Sequence, residues 1–193
     1  MISRNSKSSV FRLFIISHII LLVICSQSVF ATDSLVVIDK KLNFGYDSAN
    51  NRSIDAVIIH STFNNSGGEF YDIDLIIKQF ARYKVSAHYV IGRNGVVYRL
   101  VDEQNISYHA GKSSLPDGRT AVNSCSIGIE IMTSYTEAPT EKQITALLLL
   151  VKNIKSHNTI KYVLRHSDIA PGRKTDPWNM NWKLFQQQLN ETQ

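Results

Sequence analysis

The chain has 193 residues, which is enough for one domain with its own hydrophobic core. Hydrophobic residues make up 44% of the sequence and charged residues 19%, as in ordinary globular proteins, and we find no internal repeat or low-complexity segment. The net charge of +5 falls to +2 without residues 1–31, which hold three basic residues and no acidic ones, so the charge gives no support for nucleic-acid binding.

The first 31 residues have the pattern of an export signal. A basic start is followed by a mostly apolar run at residues 13–24, and a small residue, Ala31, ends the segment. This predicts a signal peptide over residues 1–31 that is cleaved after Ala31. The apolar run is shorter than the roughly 20 residues of a membrane span, so we expect no stable span after cleavage. The alternatives are an uncleaved membrane anchor and a lipoprotein acylated at Cys25. We expect an exported protein, periplasmic or secreted, and a monomer.

Hydrophobic periodicity predicts alternating strands and helices in the rest of the chain. In chain order these are a strand at 35–38, a strand at 56–60, a helix at 69–82, strands at 86–91, 96–101 and 127–131, a helix at 140–157, a strand at 161–165 and a last helix that includes Trp182 and Leu189. Asn94-Gly95 between two strands is typical of a hairpin. The alternation and the hairpin together predict a single α/β domain with a mixed central β-sheet flanked by helices.

Two of the predicted helices begin with the residue spacing of a capping box. Ser66 precedes the first helix and Glu69 is its first residue, and Thr140 and Gln143 open the second helix. In this arrangement each side chain accepts a hydrogen bond from a backbone N–H group near the helix start. We therefore expect the two helices to begin at these positions.

The stretch at residues 164–178 places three ionisable side chains on or next to one predicted loop. It places His166 directly after a predicted strand and adds Lys174 and Asp176 beyond a proline and a glycine. His60 ends another predicted strand. Two imidazoles and a carboxylate form a known ligand set for catalytic zinc, which leaves the fourth position to water. Taken singly, His60 would more often be a hydrogen-bonded histidine at the end of a strand. The shared context favours the metal site, because both histidines end a strand and adjoin a polar loop.

Glu130 interrupts an otherwise apolar strand. The isoleucines at 127, 129 and 131 alternate with Gly128 and Glu130, so the acid and the glycine share one face of the strand. A buried carboxylate is costly unless it has a partner or a function. Gly128 is expected to leave open space beside it, an arrangement that suits a general acid or base, and a salt bridge to an arginine is the alternative.

Five motifs stand out along the chain: VIIHST at 57–62, VSAHYVIGRNG at 85–95, YHAGKS at 108–113, SIGIEI at 126–131 and LRHSDIAPGRKTDPW at 164–178. Together they resemble the type 2 family of zinc N-acetylmuramoyl-L-alanine amidases, which is related to phage lysozyme-type amidases and peptidoglycan recognition proteins. They occur in the order typical of the family. The resemblance implies an N-terminal segment at 32–53, an amidase domain at 54–186 and a C-terminal tail at 187–193.

The resemblance also implies roles for individual residues. The positions that match the Zn²⁺ ligands are His60, His166 and Asp176. The positions that match the proton-transfer acid and the residue that stabilises the oxyanion are Glu130 and Lys174, respectively. The positions that match the substrate groove are His109 and Asn123.

The implied activity is hydrolysis of the amide bond between N-acetylmuramic acid and L-alanine in peptidoglycan or muropeptides. A peptidoglycan-binding module without activity is the alternative, although relatives without activity typically lack a zinc ligand. One departure from the family pattern is Trp178, which stands where a glycine is common. We expect this tryptophan to alter one wall of the groove.

Overall fold

The computed structural model describes residues 34–191, so the predicted signal peptide and Cys25 lie outside the described residues. The strands are β1 (Val37–Asp39), β2 (Tyr46–Asp47), β3 (Ala56–Thr62), β4 (Tyr89–Ile91), β5 (Val97–Arg99), β6 (Ile106–Ser107), β7 (Ser126–Met132) and β8 (Tyr162–Arg165). The helices are α1 (Ile73–Tyr83), α2 (Glu141–His157), α3 (His166–Ile169) and α4 (Trp182–Glu191). In this part of the chain, no helix is both long enough and apolar enough to cross a membrane.

The central sheet is mixed, as predicted. Its six strands among the described residues follow the order β1-β5-β4-β7-β3-β8. The β4–β5 hairpin is the antiparallel pair, and the other neighbours in the sheet run parallel. The short strands β2 and β6 form a separate antiparallel pair that the sequence did not predict. The predicted single α/β domain with a mixed sheet flanked by helices is confirmed.

One face of the sheet is apolar and the other carries the polar side chains of the predicted site, because side chains alternate along each strand. On one face, apolar residues of β3 and β7, including Ile59 and Ile129, pack against α2 and α4 in a fully buried core. The other face carries Ile58, His60 and Glu130, where an apolar cluster around Val122 and Ile169 fills part of the space. The polar residues of the predicted site therefore lie on the face that α2 and α4 leave free.

The predicted start of α2 agrees with the structure, whereas the predicted start of α1 does not. The Thr140 hydroxyl accepts from Gln143 N, and Thr140 N donates to the Gln143 side chain, which completes the predicted capping box. In contrast, α1 begins at Ile73, where the Asp72 carboxylate accepts from the backbone N–H groups of the first turn. The predicted capping box at Ser66 is wrong, because the two glycines that follow it adopt positive φ angles that a helix does not allow.

The C-terminal helix extends past residue 186, the predicted end of the domain. It continues to Glu191, and Phe185 and Leu189 are buried in the core formed with α2. The periodicity of these residues predicted the helix correctly.

Candidate metal centre and adjoining groove

His60, His166 and Asp176 meet at one buried point. His60 lies in β3, and His166 begins α3 directly after β8, which pairs in parallel with β3. The loop after α3 carries Asp176 back to them. The distances are 2.9 Å between the two Nδ1 atoms, 3.1 Å from His166 Nδ1 to Asp176 Oδ2 and 3.6 Å from His60 Nδ1 to the same oxygen. All three residues are at most 5% exposed.

A chain of hydrogen bonds fixes the proton on the His60 ring. Ser126 Oγ donates to the Val122 carbonyl at 2.6 Å, so this oxygen can only accept from His109 Nε2, at 3.1 Å. His109 Nδ1 is then left as the acceptor, and it receives the proton of His60 Nε2 at 3.0 Å. The lone pair of His60 is therefore on Nδ1, the atom that faces His166 and Asp176.

The His166 ring is oriented in the same way by a backbone carbonyl. Its Nε2 lies 3.3 Å from the oxygen of Ala110, which can only accept, so the ring carries its proton on Nε2. The second lone pair of the site is therefore on His166 Nδ1. Metal-binding histidines commonly donate their other ring N–H to a carbonyl or a similar acceptor in this manner.

The donor set fits a zinc ion. When both imidazoles carry their proton on Nε2, two Nδ1 lone pairs and one carboxylate oxygen converge, and a cation between them would stabilise this arrangement. Ligands about 2.0–2.1 Å from a tetrahedral zinc stand about 3.3 Å apart, close to the distances between His60, His166 and Asp176. Burial lowers the pKa of His60 to about 4, despite the nearby Asp176 carboxylate, so its imidazole is neutral, as metal binding requires.

The expected open space beside Gly128 is filled by the His109 ring. A Cβ atom at position 128 would lie 2.3 Å from His109 Cγ, so only glycine admits the imidazole there. Gly128 N also donates to Nδ1 of the buried His88 at 3.0 Å. The prediction of empty space was wrong, because the ring that fills it comes from a distant loop.

Glu130 lies directly beside His60. The two residues are register partners in the neighbouring strands β7 and β3, and their side chains point to the same face of the sheet. Burial raises the pKa of Glu130 to about 8; the charge of Asp176 raises it further, whereas Lys174 opposes the shift. Among residues 34–191, Glu130 Oε2 has no hydrogen-bond partner although it is buried. The predicted alternative, an arginine salt bridge, is absent from this part of the chain.

A groove of about 320 Å³ adjoins the three-residue site. It is lined by His109, Asn123, His166, Arg173 and Lys174, among other residues. Lys174 is half-buried there, close enough to Glu130 to affect its pKa. Four of the seven predicted site residues line this groove: His109, Asn123, His166 and Lys174. Asp176 and His60 contact His166 from outside the groove lining, and Glu130 lies beside His60.

His109 and Asn123 have structural contacts beyond those predicted. Both ring nitrogens of His109 are engaged, one by His60 and the other by Ser126. The side-chain oxygen of Asn123 accepts from the backbone N–H groups of His109 and Ala110, at 3.2 and 2.8 Å. Contact of the two residues with substrate stays a prediction, and their structural role is to hold the loop that orients His60.

Sequence reasoning missed two further residues of this site. Ser126 fixes the His109 ring, and its position on the same strand face as Gly128 and Glu130 was a signal that could have found it. Arg52 donates to the carbonyls of Glu103, Asn123 and Ser126 and thereby ties three loop ends together. Nothing in the sequence around Arg52 indicates these contacts.

Comparison with known proteins agrees with this geometry. The family model described as N-acetylmuramoyl-L-alanine amidase matches residues 50–179. The chain is 34% identical over 154 residues to the N-acetylmuramoyl-L-alanine amidase AmiD of Escherichia coli, with 70% of this chain and 53% of AmiD covered.

Two solved structures extend the comparison. An AmpD derivative matches with a TM-score of 0.63 and 26% identity, over 80% of this chain and 94% of that one. A complex of AmiD from E. coli with the substrate anhydro-N-acetylmuramic acid-L-Ala-D-gamma-Glu-L-Lys matches with a TM-score of 0.59 and 33% identity, over 70% and 57% of the two chains.

The curated relatives are longer than the matched region. This chain spans between 53% and 60% of the length of the first relatives. The match to the family model nevertheless covers well over half of this chain. The chain therefore belongs to the type 2 N-acetylmuramoyl-L-alanine amidase family.

Proposed function

We propose that this protein is a zinc-dependent amidase that hydrolyses the bond between N-acetylmuramic acid and L-alanine in peptidoglycan or muropeptides. One observation carries the proposal: three converging lone pairs lie beside a buried carboxyl group that has an unpartnered oxygen. Family membership and the substrate named in the AmiD complex supply the bond that is cut.

His60, His166 and Asp176 would hold the metal. When bound, zinc supplies a Lewis acid that polarises a water molecule and the scissile carbonyl group. The hydrogen bonds on the far side of each ring keep both Nδ1 atoms aimed at the same point, so little reorganisation is needed on binding.

Glu130 is the residue that we propose to move protons. Its carboxyl group lies beside His60, and Oε2 is free to accept a proton from the attacking water. The same group can then donate that proton to the alanine nitrogen as the amide bond breaks. Burial raises the pKa of Glu130 to about 8 in the absence of metal, which favours the protonated form that donates to the alanine nitrogen. A bound cation would lower this pKa and favour the carboxylate that accepts the proton of the water.

Lys174 is the residue that we propose to stabilise negative charge on the carbonyl oxygen. It lines the groove next to His166, and its charge acts on both Glu130 and His60. A fixed cation is most effective where charge develops in the transition state and where water is scarce. The burial of the three proposed metal ligands provides such a place.

The alternative of a binding module without activity is less well supported. Such a protein has no use for a carboxyl group that is buried without a hydrogen bond, since burial of this group costs stability. The grouping of His60, His166 and Asp176, which could hold a metal ion, supports the enzyme instead, as do Glu130 and Lys174 beside it.

Zinc dependence tests the proposal directly. Protein stripped of metal with a chelator should release no stem peptide from 1,6-anhydro muropeptides, and one equivalent of zinc should restore release. Asp176→Ala should fail to retain zinc after dialysis. Undiminished activity in the stripped protein, or full zinc retention by Asp176→Ala, would contradict the assignment.

Export and monomeric state belong to the same proposal. We propose a protein that acts outside the cytoplasm, in the periplasm or as a secreted enzyme, because peptidoglycan lies there and residues 1–31 have the signal pattern. N-terminal sequencing of the processed protein distinguishes cleavage after Ala31 from acylation at Cys25, and light scattering tests the oligomeric state.

A further inference from the structure

Four aromatic side chains form an exposed platform next to the proposed metal centre. The platform consists of Phe63, Phe70, Tyr135 and Trp178. Phe63 is the central ring, with centroids 5.7 Å from Phe70, 5.7 Å from Tyr135 and 5.9 Å from Trp178, and Tyr135 lies 4.3 Å from Trp178. Phe70 is 53% exposed and Tyr135 is 66% exposed. Exposed aromatic clusters of this kind cost stability and commonly mark a binding surface.

Hydrogen bonds hold the platform against the metal site. Trp178 N donates to Ser61 Oγ at 3.0 Å, and Ser61 follows His60 directly. The Trp178 indole donates to Thr175 Oγ1 at 3.0 Å. On the other side, Asn179 donates to the Tyr135 carbonyl at 2.9 Å. The rings are therefore presented by backbone that is anchored on both sides, which is typical of a preformed site.

The platform and the groove lie on opposite sides of the metal site along the strand axis. His109, in the groove, covers Gly128, whereas the metal site is at the level of the His60–Glu130 pair, about 7 Å further along the strands. The platform comes after the last pair of these strands, Thr62 with Met132. A substrate centred on the metal site would therefore extend into the groove at one end and over the rings at the other.

The two ends differ in charge. The groove is lined by the cationic side chains of Lys84, Arg173 and Lys174. The four platform rings carry no charge. The stem peptide named in the AmiD complex contains a γ-linked glutamate, which leaves a free carboxylate. An N-acetylhexosamine, in contrast, carries no ionisable group.

We propose that the platform is a carbohydrate subsite that stacks on the apolar face of an N-acetylhexosamine ring next to the muramic acid of the substrate. The C–H groups on one face of a pyranose ring match the negative face of an aromatic ring. Tyr135 is 66% exposed and Trp178 is partly exposed beside it, so this pair is the part of the platform that a sugar ring can reach. The stem peptide lies in the basic groove. This inference rests on the proposed amidase function. The subsite would make the enzyme selective for peptides that are still attached to a glycan of at least two sugars.

Direct binding tests the subsite independently of hydrolysis. The chain has two tryptophans, so Trp182→Phe leaves Trp178 as the reporter of ring stacking. A peptide-free tetramer of N-acetylglucosamine should change the fluorescence of this variant in a saturable manner. In the wild-type background, binding of the tetramer measured by calorimetry should persist in Trp178→Phe and be lost in Trp178→Leu, which is apolar but has no ring.

Hydrolysis supplies the second measurement. The ratio of kcat/KM for a disaccharide peptide to kcat/KM for the matching muramyl peptide should fall about three- to ten-fold in Trp178→Leu and much less in Trp178→Phe. The zinc content of each variant shows whether Asp176 still holds its position.

The two measurements separate the possible failures. If the tetramer does not bind, and both substrates are cut with the same ratio in wild type and Trp178→Leu, the carbohydrate subsite is wrong while the amidase function stands. An equal loss on both substrates would likewise overturn it in favour of a surface that binds the peptide. If no substrate is cut but the tetramer binds through Trp178, the proposed function fails and the carbohydrate site remains.

Discussion

Gly128→Ala should weaken zinc binding although residue 128 does not touch the metal site. The added Cβ would lie 2.3 Å from His109 Cγ, and carbon atoms in contact stand about 3.5 Å apart or more, so the ring must move by at least about 1.2 Å. Such a shift breaks the 3.0 Å hydrogen bond from His60 Nε2 to His109 Nδ1. Loss of a partner of this kind typically costs about 10- to 100-fold in metal affinity. A competition titration against a zinc chelator measures this loss.

A double-mutant cycle isolates the cause. In the metal-free protein, Gly128→Ala should lower the free energy of unfolding by about 1–3 kcal/mol, because the site is overfilled. In a His109→Ala background the same change should cost less than about 0.5 kcal/mol, since the ring that clashes is gone. Urea unfolding gives both values. Wild-type zinc affinity in Gly128→Ala, or an equal cost in the two backgrounds, would refute the reasoning.

Three further substitutions test the surroundings of the site. Ser126→Ala removes the hydrogen-bond acceptor of His109 Nε2 and should lower zinc affinity about ten-fold in a chelator titration, with a smaller effect on the free energy of unfolding. Unchanged zinc affinity would contradict the hydrogen-bond chain. Lys174→Met should keep zinc but lower kcat about 10²- to 10³-fold, and a loss confined to KM would instead indicate a role in binding alone. Arg52→Met leaves three loop carbonyls without their hydrogen-bond donor. It should lower the free energy of unfolding, measured in urea, by about 1–3 kcal/mol or more. Unchanged stability would show that water replaces the guanidinium group.

The fold was predictable because its main signals are local. The isoleucines of β7 alternate with Gly128 and Glu130, and this pattern alone told which face of the strand is core. The β4–β5 hairpin followed from Asn94-Gly95 for the same reason. The start of α1 was not predictable from spacing, because the loop around Asn64, whose side chain bonds to the Gly67 and Glu69 carbonyls, draws the chain away from a helical path.

The residues of the candidate site were predictable from the sequence, but the hydrogen bonds among them were not. His60, His166 and Asp176 were selected by strand ends and by resemblance, and they do meet. His109 was expected to face substrate, yet it contacts His60 and Ser126 through both ring nitrogens. These contacts join segments that are distant in sequence, so no periodicity or short motif could show them.

The central claim is that this site cuts the amide bond with Glu130 as the proton carrier, and mass spectrometry of muropeptide digests tests it most directly. The zinc-loaded wild type should release free stem peptides that begin with L-alanine, together with the intact sugar. Glu130→Gln is close to isosteric, should bind one zinc with unchanged affinity, and should release these products at least about 10²-fold more slowly. Release at the wild-type rate by zinc-loaded Glu130→Gln, or no release by the zinc-loaded wild type, would contradict the account.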